Sequence, residues 1–124
     1  MASNKIVRFG PAAMILTTPT NILNPPTVSG GVGVAGTNTA TYLVVRHIRI
    51  VNKTAGAVTF SLYIGATAGS AAGTEFMGLG TSVAANSYVD WYGQLRLDIA
   101  DFLSGFANTG TALTIQAEGE IGIV

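Results

Sequence analysis

The chain contains no cysteine, which rules out disulfide staples and thiolate metal sites. That suits a reducing compartment, and equally an assembly that needs no covalent cross-links. Charge is scarce: charged residues are 10% of the 124 positions, against about 25% in typical soluble domains. Six basic and six acidic residues cancel, so there is no basic field to attract nucleic acid. No apolar run reaches the roughly 18 residues of a membrane span. The opening MASNKIVRFG lacks a signal-peptide apolar region, so the Asn52-Lys53-Thr54 sequon is not expected to carry a glycan. Helical periodicity is missing too; no stretch longer than a few residues repeats apolar residues at helix spacing.

Scarce charge bears on the surface. A folded monomer of 12.7 kDa exposes on the order of 6,000 Å². The ionisable side chains then amount to roughly one per 500 Å² of that surface, and Thr, Ser and Asn must cover much of the rest. Mean hydropathy is positive, a composition that points to contacts with other subunits.

What is present is β-pattern. In Tyr42–Ile64, two apolar, β-branched runs flank a small-residue link. Val58, Phe60, Leu62 and Ile64 alternate with Thr59, Ser61 and Tyr63, the period of a half-buried strand. The earlier run settles into Ile48 and Ile50 inward, with His47, Arg49 and Val51 outward and Arg46 opposite them. The pair reads as a β-hairpin whose link uses Gly56 and Asn52 as turn residues. Tyr88–Ile99 is a second long strand. Val89, Trp91, Leu95, Leu97 and Ile99 share one face, Tyr88, Asp90 and Tyr92 the other, and Gly93 marks a bulge or bend. Leu113–Ile123 alternates as a final strand. Gly65–Thr74 reads as a loop, Phe76–Leu79 as a short strand or core plug, and Ala100–Phe106 as one helical turn under the sheet. Asn86 and Asn108-Thr109-Gly110 mark turns. Six or more strands separated by turns predict an all-β, antiparallel β-sandwich, jelly-roll-like or immunoglobulin-like, over residues 39–124.

Residues 1–38 differ. All four prolines lie there, each removing a ladder donor. The segment reads as an extended Pro/Gly-rich N-terminal arm, with edge strands near Lys5–Phe9 and Met14–Thr18, ordered by a partner surface. Its apolar residues Ile6, Val7, Phe9, Ile15, Leu16, Ile22 and Leu23 are the candidate arm contacts. Gly31–Gly36 formally matches G-x-G-x-x-G, but no strand precedes it, β-branched residues follow it, and Asn52 stands where an acid is needed. It reads as a linker, and no cofactor is expected.

Chemistry is thin. His47 is the one histidine, and no G-x-S-x-G elbow accompanies it. Asp98 with Asp101, or Glu118 with Glu120, would be the carboxylate pairs of a glycosidase; a solvated face blunting a sheet edge is the plainer reading of the second pair. No catalytic or metal site is expected. Arg46, His47, Arg49 and Lys53 form the basic cluster, in which His47 and Arg49, on one strand face, suit an acidic patch on a partner subunit. Tyr88, Asp90 and Tyr92 form an outward aromatic–acid ladder, suited to a protein interface or, alternatively, to stacking on a sugar. Arg46, His47, Arg49, Tyr88, Asp90 and Tyr92 are the candidate oligomer or lattice interface.

Three stretches carry a resemblance: RHIRIVNKTAGAVTFSLYIGAT (46–67), TEFMGLGTSVAANSYVDWYGQLRL (74–97) and ALTIQAEGEIGIV (112–124). Together they resemble small β-rich virion structural proteins of tailed bacteriophages. The resemblance implies a non-enzymatic capsid decoration (cement) protein, made in the host cytoplasm and carried on the virion surface. Its partners would be the major capsid protein and its own copies in a homo-oligomer, a trimer, with no nucleic acid and no membrane. A minor-tail or tail-tip module binding a host glycan or receptor is the alternative. On the arm reading, removing residues 1–36 abolishes capsid binding and leaves the sandwich folded.

Overall fold

A computed structural model describes residues 5–14, 20–23, 40–66, 68–98 and 101–123. Eight strands carry them: β1 (Lys5–Met14), β2 (Thr20–Leu23), β3 (Ala40–Asn52), β4 (Val58–Gly65), β5 (Glu75–Val83), β6 (Tyr88–Leu97), β7 (Phe102–Ala107) and β8 (Leu113–Ile123). Among the described residues there is no helix. Two four-stranded antiparallel sheets form, in the orders β1-β8-β3-β6 and β2-β7-β4-β5. Apart from β4 to β5, every connection passes from one sheet to the other. Of the two sandwich types expected, this is the jelly-roll order.

The core lies between the sheets because each long strand is apolar on one face. Leu43, Val45, Ile48 and Ile50 of β3, Leu95 and Leu97 of β6, and Leu113, Ile115 and Ala117 of β8 face Val58, Phe60 and Leu62 of β4 and Leu103 and Ala107 of β7. Each fully buried aliphatic or Phe side chain contributes about 1.5–3 kcal/mol.

Three expectations change. The predicted hairpin of β3 and β4 is an arch: β3 pairs with β6 and β8, and β4 with β5 and β7. Both strands do turn their apolar faces to the core, but from opposite sides of it. Asn52 makes the crossing possible. It is 1% exposed. Its amide nitrogen donates to the carbonyls of Gly56 (2.8 Å) and Val83 (3.0 Å), and its Oδ1 accepts from the Thr54 N–H and hydroxyl. Every polar position of the amide is thereby satisfied. A buried amide so engaged is no glycan acceptor.

The helical turn expected at Ala100–Phe106 is strand β7 over Phe102–Ala107, central in the second sheet. It is covered on both faces, so its apolar residues run together instead of alternating, which periodicity alone does not separate from a buried helical turn. The third change concerns the N-terminal segment, where the edge strand expected near Lys5–Phe9 is present as part of β1 but a second edge strand, β2, reaches the core. β1 pairs along β8, and β2 along β7. Ile22 and Leu23 belong to the core. Removing residues 1–36 would therefore take away an edge strand from each sheet. Residues 15–19 and 24–39, including the Gly31–Gly36 motif and the 38/39 boundary, lie outside the described residues.

The first sheet is bent by bulges that accumulate across it. Between paired positions, β8 advances two residues (Ala117 to Gly119), β3 three (Ile48 to Val45) and β6 four (Trp91 to Leu95). An extra residue on one strand re-aims its side chains. Arg46 is the extra residue of β3, so it joins His47 on the outer face. Gly93 falls in the widened stretch of β6, as its glycine implied, and the Trp91 ring lies so close that a Cβ there would meet it at 2.7 Å.

Candidate functional surface

The outer face of the first sheet collects most of the ionisable groups. Register sets up a row across all four strands: Arg8 opposite Glu118, Glu118 opposite His47, His47 opposite Tyr92. One step along, Gln116, Arg49 and Asp90 form a second row.

Asp90 is the hub. Its Oδ1 accepts from Arg49 Nε (2.8 Å) and faces His47 Nε2 (2.9 Å), while Oδ2 accepts from the Arg49 guanidinium at 3.1 Å. The Arg49 bonds, followed by the His47 bond, hold the Asp90 carboxyl down at about 2, and the same contact raises Arg49. The rings on either side are fixed by the same two side chains. Arg49 lies over Tyr88, 4.3 Å from its centroid, and His47 stacks on Tyr92 at 4.5 Å, nearly parallel. Tyr88 and Tyr92 remain 54% and 71% exposed.

The second nitrogen of His47 faces Glu118 Oε1 at 3.4 Å. An Asp–His pair is two thirds of a hydrolytic triad, but here a carboxylate stands where a nucleophile would. Arg46 donates to Glu120 (2.6 Å) and Arg8 to Gln116 (2.9 Å). Arg46, His47, Tyr92, Glu118, Gly119 and Glu120 line an open depression of about 570 Å³. A neighbouring hollow of about 140 Å³ lies between Arg8, His47, Arg49, Gln116 and Glu118.

The six predicted interface residues, Arg46, His47, Arg49, Tyr88, Asp90 and Tyr92, thus lie on one face. Arg46 was expected opposite His47, and the bulge brings it over. Asp90 was expected as an outward hydrogen-bonding acid; three contacts within the protein now occupy it. Glu118 and Glu120 do share one face of β8, but β8 lies between β1 and β3, so they pair with Arg46 and His47 and blunt no edge. Asp98 and Asp101 follow β6 and bond to each other: Asp101 accepts from the Asp98 N–H, and Asp98 accepts from Arg96. Of the candidate arm contacts, Ile22 and Leu23 are core residues. Ile6, Val7 and Phe9 register on β1 opposite Glu120, Gly119 and Ala117. Ile15 and Leu16 lie outside the described residues.

Sequence reasoning missed Arg8 and Gln116. Arg8 sits in the segment read as an arm, and the i, i+2 spacing of Gln116, Glu118 and Glu120 was the available signal for a continuous polar face. No known protein-family model matches the chain, and no curated protein is significantly similar to it.

Proposed function

We propose that the protein is a non-enzymatic virion structural protein of a tailed phage, a capsid decoration protein that docks as a homo-oligomer on the assembled shell. The observation that carries this reading is the outer face of the first sheet. Most of its charges are already paired within the protein, Arg46 with Glu120 and Arg49 with Asp90, so covering them with a partner leaves few bare ions to desolvate. Two tyrosines stand exposed on it, one held on one side by Arg49 and the other by His47, the kind of ordered aromatic anchor that dominates interfaces. The jelly-roll order lends a fold-level analogy, since viral capsid and lectin domains use it, though fold alone assigns no function. A glycan-binding tail module is less well supported, because the carboxylate between the two rings is engaged by Arg49 and His47. Stabilisation by a decoration protein works by mass action: binding only the assembled lattice lowers its free energy by RT ln(1 + [L]/Kd) at each site.

Quantitative mass spectrometry of purified virions, against the major capsid protein, tests the reading. A copy number matching the capsid lattice is the expected result. A handful of copies would move the protein to the tail, and absence from particles would end the virion reading.

A further inference from the structure

The tyrosines on the outer face of the first sheet share a habit. Arg96 lies over Tyr42 at 4.4 Å, Arg49 lies over Tyr88 at 4.3 Å, and Tyr92 has the His47 imidazole on one side. Tyr92 is also the more exposed of the two tyrosines left open to solvent. It borders the 570 Å³ depression together with Arg46, Glu118 and Glu120.

The two carboxylates there are not equally engaged. Arg46 satisfies Glu120 through Nε (3.2 Å) and a terminal nitrogen (2.6 Å). Glu118 has one partner among the described residues, His47 Nδ1 at 3.4 Å, and its side chain is 61% exposed. Arg46 is thus taken up by Glu120, while the Glu118 carboxylate stands largely open to solvent beside an exposed aromatic ring.

We propose that this depression receives an arginine side chain from the protein on which this one docks. The guanidinium would lie on the open side of Tyr92 and donate in a fork to the Glu118 carboxylate. A planar guanidinium makes both contacts at once, which a lysine ammonium does not. The proposal builds on the docking role, but the site is tested without any virion.

The intact ¹⁵N-labelled protein is titrated with N-acetyl-arginine amide, and amide shifts around Tyr92, Glu118 and Arg46 are followed. The expected result is saturable shifts at these positions, with N-acetyl-lysine amide binding several-fold more weakly. Glu118→Gln and Tyr92→Ala should each weaken arginine binding at least fivefold, while Tyr92→Phe and Tyr88→Ala bind as the parent does. The variants' spectra report whether each remains folded. Absence of saturable shifts, equal binding of lysine and arginine, or stronger shifts with a neutral disaccharide such as lactose would overturn the proposal. Arginine binding in a protein absent from virions would sink the decoration reading and leave this site standing.

Discussion

Asp90 shows how a residue that looks available in sequence is committed in the fold. Its place between two tyrosines on one strand face was legible from period two. That Arg49 and His47 on the neighbouring strand would claim it was not, because pairing of β3 with β6 is a long-range choice. The commitment should be visible in acid. The carboxyl ordinarily titrates at 3.8 and is held at about 2. A depressed value in the folded state contributes stability that is complete above 3.8 and is lost as pH falls through about 2. Urea midpoints taken between about pH 5 and pH 2 should therefore fall more steeply for the native protein than for Asp90→Asn. Parallel curves would mean that the Arg49–Asp90–His47 contact adds nothing to folding.

At the scale of elements, strands were easier to find than their neighbours. Alternation located β3, β4, β6 and β8, and Asn86, with φ of 51°, is the turn residue its type implied. Alternation says nothing about which sheet a strand joins, so an arch passed for a hairpin. It also fails for a strand covered on both faces, so β7 passed for a helical turn. The stepwise bulges were partly legible: Gly93 signalled its own, but Arg46 carries no such mark. The bulges depend on close backbone approach at Gly119. A Cβ there would overlap the Val44 carbonyl oxygen, and backbone cannot give way as a side-chain tip can. Gly119→Ala should cost about 2 kcal/mol or more in chemical denaturation, and it should disturb Arg46 and His47, which sit across that contact. A neutral effect would show that β8 and β3 have more room than their register implies.

For the whole molecule, the decisive observation is that β1 and β2 finish the two sheets. A tail of disposable residues would leave the sandwich intact when removed. Deleting residues 1–23 instead removes two strands together with Ile22 and Leu23. Losing two buried side chains of this size costs roughly 2–5 kcal/mol each, against a total of about 5–15 kcal/mol for an ordinary domain. The truncated chain should lack a cooperative thermal transition by circular dichroism. A sharp transition near the parent's would return the segment to the status of an arm.

The position of β8 bears on when this protein can fold. It follows the other seven strands in the chain, yet it lies inside the first sheet, between β1 and β3. As the ribosome delivers the chain, β1 waits for a neighbour that is made after the other described strands, and one side of β3 stays bare until then. The second sheet has all four of its strands by the end of β7, but the face it must cover is still divided. Order in time and order in space run against each other, so the first sheet closes only after β8 has emerged. Until then, the unpaired flank of β3 is where a chaperone, or another nascent chain, would meet it.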